Sequence, residues 1–286
     1  MLNFSDNRKL SFRIWRTVCA LFGTFCLMNC FSCSSMVLDT QPFNVLETSH
    51  FTFFYRDGCE IEKDLKKIAK YCENGISWFS TYVGFKIELK PDIYLFDEPS
   101  GSFKEPFSDI NLDSHSINGT ILYYYVEQDY LTAASIILHE AIHVIQDFYF
   151  SLDNTALAEG FASFISLKFY YYYLGGSYAD KDISELLKVS ALQGILAGDG
   201  IPEELLKLSL PDFNRTNVLE GDRNAGLRYE IMESFITYLV EKYGIKSVID
   251  WQRNTTVSNF KNNFNKNIPA DFDECQKKWL FSIGYR

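Results

Sequence analysis

The chain has 286 residues, of which 47% are hydrophobic and 16% aromatic, enough to build a sizeable core in one domain or one domain with an added lobe. This composition excludes a disordered or fibrous protein. Acidic residues outnumber basic ones by 37 to 27, giving a net charge of -10, and this charge argues against a nucleic-acid partner.

The start of the chain has the composition of a secretory signal. An apolar run over residues 18–28 is followed by small or polar residues, and it is shorter than the ~20 residues that a membrane span needs. Basic residues precede it, as in the first region of a signal peptide: Arg8, Lys9, Arg13 and Arg16. We therefore predict a signal peptide over residues 1–29 and export of the rest.

Residues 27–30 resemble the lipobox of bacterial lipoproteins, in which a leucine stands three residues before a cysteine that is lipidated. The resemblance implies a lipid on Cys30 and a protein anchored to the membrane of the bacterial cell envelope. Asn29 departs from the usual small residue, and Cys33 is a rival acceptor. A plainly cleaved signal, which gives secretion, and an uncleaved signal anchor are the alternatives.

The segment after the signal is predicted as a polar linker over residues 30–48, followed by one domain over residues 49–286. Its first part, residues 49–128, is predicted as a small mixed sheet carrying one helix. The helix is predicted from apolar periodicity over residues 60–83. Three segments have the pattern of strands, and the last contains an Asn-Gly turn signal: residues 50–56, 91–98 and 116–126.

The pattern changes at residue 129, where long segments of helical period begin. Residues 129–286 are therefore predicted as a mostly helical lobe, and the fold class as α+β. The segments with the clearest helical period are residues 131–150, 156–174, 182–198 and 229–244.

The sequence HEAIH, from His139 to His143, carries the strongest chemical signal. On a helix, residues four apart project from one face with Cβ atoms ~6 Å apart, so both imidazoles reach one metal ion. Glu140 beside them can take a proton from a zinc-bound water, whose pKa the ion lowers to about 7, and pass it to a leaving amine. The motif predicts a Zn²⁺ hydrolase site, and two unrelated histidines on a helix are the alternative.

A catalytic zinc needs a third protein ligand and one open position. His50 and His115 are the other histidines, and both fall outside the predicted helical lobe. Glu159, 16 residues after His143, is the better candidate because it starts the next predicted helix in an apolar context. A carboxylate there is costly unless it binds a cation or the amides of the helix N-terminus.

These motifs resemble the gluzincin zinc peptidases, in particular the compact peptidase-MA-like group. That group has HExxH, then a helix with E-G-x-A, then a later helix with Tyr before Ser-Phe and a Tyr-Gly end. This chain has HEAIH, then EGFA from Glu159 to Ala162, then YEIMESFITYLVEKYG from Tyr229 to Gly244. The resemblance implies a zinc metallopeptidase that acts on a peptide or protein substrate.

The resemblance also implies roles for single residues. Glu159 corresponds to the third zinc ligand and Tyr229 to the residue that stabilises the oxyanion, although Arg228 could supply the same positive field. Residues 120–125 resemble the family's edge strand, which binds an extended substrate through its backbone. The substrate-binding residues implied in this way are Thr120, Ile121, Leu122 and Tyr123.

One departure narrows what the resemblance implies. Aminopeptidases of the family carry a G-x-M-E-N stretch whose glutamate holds the substrate's amine, and this chain reads SINGTILYYY there. We therefore expect an endopeptidase rather than an aminopeptidase. The alternative is a surface lipoprotein that keeps the peptidase fold as a binding or assembly module, with little or no turnover. The sequence does not determine the oligomeric state.

Overall fold

The computed structural model describes residues 43–96, 114–117, 119–124, 129–175, 207–209 and 225–284. The predicted signal peptide, the predicted lipidation site Cys30 and the predicted helix over residues 182–198 lie outside these ranges. Within the described ranges, no helix combines the length and the apolar character needed to cross a membrane.

The N-terminal part is one mixed sheet with the spatial strand order β1-β2-β3-β5-β4, in which both outer pairs are antiparallel and both inner pairs parallel. Gly119 has φ 83 in the turn before the last strand, a conformation that glycine adopts freely. The strands are β1 (Asn44–Glu47), β2 (Thr52–Tyr55), β3 (Asp92–Phe96), β4 (Ser114–Ile117) and β5 (Thr120–Tyr124).

The strand β1 lies inside the segment predicted as a linker, so that prediction is wrong for residues 44–47. None of its four side chains is fully buried, which is why the segment lacks the apolar pattern of a core-facing strand. The strand is defined by its backbone pairing with β2, where Leu46 faces Phe53. Residues 44–47 therefore form a strand because they pair with β2, which lies outside the predicted linker.

The strand β5 is an interior strand, so the predicted free edge at residues 120–125 is wrong. It pairs with β3 on one side and with β4 on the other. The side chains of Ile121, Leu122 and Tyr123 are buried. Because the hairpin places β4 outside β5, the outer strand at this end of the sheet is β4.

The helical lobe confirms the α+β class. A short 3-10 helix, Glu60–Lys63, precedes the helix on the sheet. The longest helix is kinked at Gly244, which has φ 80. The helices are α1 (Leu65–Val83), α2 (Tyr130–Tyr149), α3 (Thr155–Gly175), α4 (Ala225–Gln252), α5 (Phe260–Asn267) and α6 (Phe272–Ser282).

The helix α2 is central, since it packs against α1, α3, β4 and β5. A Cβ on Gly75 of α1 would stand 2.6 Å from Cδ2 of Leu138, so only glycine allows this approach with the leucine where it is. The thiol of Cys72 lies 3.7 Å from the carbonyl oxygen of Ala134. These contacts pack α1 against the part of α2 that precedes His139.

Candidate metal centre

The helix α2 has one side that carries the partly exposed histidines and an opposite side that is buried. Its N-cap Asp129 accepts hydrogen bonds from the amides of Leu131 at 2.9 Å and Thr132 at 3.1 Å, which satisfies amides that a helix start leaves unpaired. The side chains of His139 and His143 keep 20% and 13% of their surface exposed. The buried side is apolar except for Glu140 and Gln146, and its apolar members are Ala133, Ala134, Ile137, Leu138, Ala141, Ile142, Val144 and Ile145.

The side chains of His139, His143 and Glu159 converge on one point. The Nε2 atoms of the two histidines lie 3.1 Å apart. Oε2 of Glu159 lies 3.2 Å from Nε2 of His139 and 3.3 Å from Nε2 of His143. These are the His/Cys/Asp/Glu side chains grouped closely enough to hold a metal ion in the part of the chain that the structure describes.

This triangle of ligand atoms fits a tetrahedral zinc ion. Zinc bonds of about 2.0–2.1 Å at tetrahedral angles place any two ligand atoms about 3.3–3.4 Å apart. The three observed separations, from 3.1 to 3.3 Å, are close to that value. Two imidazoles and one carboxylate are the ligand set of catalytic zinc sites that keep a fourth position for water or substrate.

Glu159 reaches the histidines from α3. It is the fifth residue of that helix, which begins at Thr155, one residue before the predicted segment 156–174. Oε2 of its carboxylate contacts both imidazoles, as a group that completes a metal site would. The amide of Leu157 bonds to the side chain of Asn154 at 3.0 Å.

The three groups determine each other's charge. Burial alone would lower the pKa of His143, but the adjacent carboxylate of Glu159 outweighs burial and raises that pKa to about 9. Burial alone would raise the pKa of Glu159, but the two imidazoles hold it well below its usual range. Without a cation in the site, His143 is therefore expected to stay protonated. A metal ion that binds there displaces this proton and supplies the positive charge in its place.

Glu140 lies beside His139 on α2 and is only 8% exposed. Its negative charge contributes to the raised pKa of His143. The carboxyl is therefore close enough to the ligand set to influence it electrostatically, while it is not one of the three grouped ligands. This placement suits a group that handles protons beside the metal.

Tyr229 and Arg228 lie in α4, the helix that packs most extensively against α3. Both side chains are half-buried. Their assignment to oxyanion stabilisation stays a prediction. Met232 and Glu233, about one turn further along, contact Gly160 closely, so this part of α4 lies directly against the turn of α3 that carries Glu159.

Sequence reasoning missed Gln146. Its Oε1 lies 3.0 Å from Nδ1 of His143. A signal was present, because Gln146 is a polar residue three positions after His143 within an apolar stretch.

Solved structures with a similar fold include M1 zinc metallopeptidases. A point mutant from Deinococcus radiodurans matches with a TM-score of 0.51 and 12% identity, over 84% of this chain and 52% of that chain. The same mutant bound to a Tyr-Ser-Ala substrate gives the same values. A two-domain M1 zinc metallopeptidase mutant bound to L-tryptophan gives a TM-score of 0.51 at 13% identity, with 84% and 52% covered.

The chain thus spans about half the length of these structures. Its sequence matches no protein-family model and no curated protein. At this identity the likeness shows the fold, which is that of a zinc metallopeptidase. Together with the triangle of His139, His143 and Glu159, this fold supports Zn²⁺ as the cofactor.

Proposed function

We propose that this chain is an exported zinc-dependent peptidase with Glu140 as its general base. The observation that carries the proposal is the convergence of His139, His143 and Glu159 from two helices, with ligand atoms 3.1–3.3 Å apart. The zinc metallopeptidase fold supports it. The Tyr-Ser-Ala substrate bound to one structural neighbour suggests peptides as the substrate class.

The proposed mechanism assigns one task to each group. Zinc, when bound, polarises the scissile carbonyl and lowers the pKa of water. Glu140 accepts the proton of the attacking water and then donates it to the leaving amine, so that it is regenerated at the end of the cycle. Tyr229, or Arg228 in its place, stabilises the negative charge that develops on the carbonyl oxygen.

The substrate strand is proposed to bind along β4 rather than along β5. The backbone of β5 is hydrogen-bonded to strands on both sides, whereas β4 is the outer strand and packs beside α2. A sheet edge accepts an extended peptide through main-chain hydrogen bonds. Residues 120–123 would then pair with β4 on its inner side instead of contacting the substrate.

The test of the proposal compares the purified domain with Glu140→Gln. Both should contain one zinc per chain, while hydrolysis of a fluorogenic peptide library should fall at least ~10²-fold in the variant, the usual contribution of a general base. Glu274→Gln, which changes an exposed carboxyl on α6, should behave as wild type. A wild-type protein that binds no zinc would overturn the proposal. Zinc without wild-type hydrolysis would favour a binding module.

Endopeptidase specificity is the finer part of the proposal. It rests on the absence of any glutamate from residues 114–125, which include the proposed substrate strand β4, because aminopeptidases of the family hold the substrate amine with a glutamate on or near that strand. Pairs of peptides that differ only by acetylation of the amino terminus separate the two activities. An endopeptidase cleaves both members at an internal bond, whereas an aminopeptidase leaves the acetylated one intact.

Export and lipid anchoring through Cys30 complete the proposal. Expression in a bacterial host with a labelled fatty acid should place label on the wild type and on Cys33→Ala, but not on Cys30→Ala. Label that disappears only from Cys33→Ala would move the attachment site to Cys33. An unlabelled wild type found in the medium would show that the protein is secreted rather than lipid-anchored.

A further inference from the structure

A buried pair of glutamine amides connects the zinc ligands to the end of α4. Gln146 on α2 is 1% exposed and Gln252, the last residue of α4, is 0% exposed. Oε1 of Gln146 lies 3.0 Å from Nδ1 of His143. Nε2 of Gln146 donates to the carbonyl of Ala158 at 3.2 Å and to Oε1 of Gln252 at 2.9 Å.

The orientation of the Gln146 amide follows from Ala158. A backbone carbonyl can only accept a hydrogen bond, so the NH₂ group of Gln146 must face Ala158 and its oxygen must face His143. An oxygen can only accept, so Nδ1 of His143 must carry a hydrogen. Nε2 of His143 is then the nitrogen left to bind a metal ion, and it is the nitrogen that points at Glu159 and His139.

We infer that Gln146 is a positioning residue for the zinc site, one that fixes the tautomer and ring orientation of His143. The hydrogen bond to the carbonyl of Ala158, the residue before Glu159, sets the orientation of the Gln146 amide. The oxygen of that amide in turn orients the imidazole of His143. A single side chain thereby aligns the ligands of α2 and α3. Gln252 accepts a hydrogen bond from the second N–H of the same amide, so the end of α4 also helps to keep the Gln146 amide in this orientation.

The expected size of the effect follows from outer-shell partners of metal ligands in general. Losing such a partner weakens metal binding about 10–100-fold. Gln146→Leu removes the acceptor at nearly constant volume and should weaken zinc binding by that factor. Gln146→Glu keeps an acceptor for His143 but turns an oxygen toward the carbonyl of Ala158, so it should recover only part of the affinity that Gln146→Leu loses. Gln252→Leu leaves the bond to His143 intact and should have a smaller effect than Gln146→Leu.

The inference rests on the zinc site of the proposed function and not on peptide hydrolysis, so it is tested by zinc affinity. Zinc dissociation constants are measured by competition with a chromophoric chelator for the full chain and each variant. The control is Ser234→Ala, which removes a buried hydrogen bond to Trp279 of 3.2 Å. It should lower thermal stability and leave zinc affinity unchanged.

A second measurement needs no variant. In ¹H–¹⁵N correlation spectra of the zinc-loaded wild type, His143 should carry its proton on Nδ1, protected from solvent exchange. Zinc bound through Nδ1 would overturn the inference, as would a folded Gln146→Leu with wild-type affinity. A wild-type chain that binds no zinc would instead overturn the proposed function, so the two failures are distinct.

Discussion

The backbone nitrogen of Glu233 lies 2.8 Å from the point where a Cβ on Gly160 would stand. Met232 is equally close, with Cγ at 2.7 Å from that point. At Gly160, one residue after Glu159, the helix α3 therefore lies in direct contact with the backbone and the first side-chain atoms of α4. This close approach gives a physical reason for the glycine in the E-G-x-A motif.

Gly160→Ala should separate α3 from α4 and displace Glu159. We expect a loss of about 1–3 kcal/mol in the free energy of unfolding, as for other overpacked cores, and at least tenfold weaker zinc binding. Gly75→Ala is the matched control, since its Cβ would meet the terminal atoms of the flexible Leu138 side chain. Denaturant titration and chelator competition measure the two effects. Equal losses of zinc affinity in both variants would contradict the explanation.

Zinc affinity should rise with pH. The raised pKa of His143, about 9, means that zinc must displace a proton at any lower pH. Glu159, whose pKa is lowered, stays ionised throughout this range. We expect about a tenfold gain in affinity per pH unit between about pH 6 and 8, measured with a chelator corrected for its own protonation.

The control for this pH dependence is His50→Asn. His50 pairs with Glu73 at 2.7 Å and is not one of the grouped metal ligands. Its replacement should leave the slope of affinity against pH unchanged. An affinity that is flat from about pH 6 to 8 in the wild type would show that His143 holds no proton for zinc to displace.

Glu233 should make the protein less stable as pH rises. Burial, with a smaller effect of Glu230, raises the pKa of Glu233 from 4.5 to about 8, and its Oε1 has no hydrogen-bond partner among the described residues. Between these two pH values the unfolded chain ionises while the folded one stays protonated, so stability falls with pH and levels off above pH 8.

Glu233→Gln removes this ionisation. The variant should exceed wild type by about 1–4 kcal/mol in the free energy of unfolding at pH 8, and by much less at pH 5. Urea unfolding at the two pH values measures the difference. A difference that does not change with pH would mean that Glu233 is not held protonated in the folded protein.

Asp129→Ala should destabilise α2 at its start. The substitution removes the bonds to the amides of Leu131 and Thr132, which costs about 0.5–2 kcal/mol for a helix N-cap. Asp271→Ala, at the N-cap of α6, loses equivalent bonds to Asp273 and Glu274 and is the matched control. Thermal unfolding should shift similarly in both. Zinc affinity should stay at the wild-type value, because His139 lies more than two turns from the cap.

Features that depend only on neighbouring residues were predictable from the sequence. The spacing of His139 and His143 places both on one helical face, because helix geometry relates residues four apart wherever the helix lies. Apolar periodicity likewise predicted α1, α2 and α3. Glu159 was predicted from its place in the next helix and from the family resemblance, and its carboxylate lies beside the two histidines.

Features that depend on pairing between distant segments were not predictable and follow from the packed fold. The sequence could not show that β4 lies outside β5, because strand order is set by hydrogen bonds between strands and not by the pattern within one. It could not show that Gln146 meets Ala158 and Gln252, a residue 106 positions away. The ligands were therefore visible in the sequence, while the contacts that orient them appear only when three helices pack together.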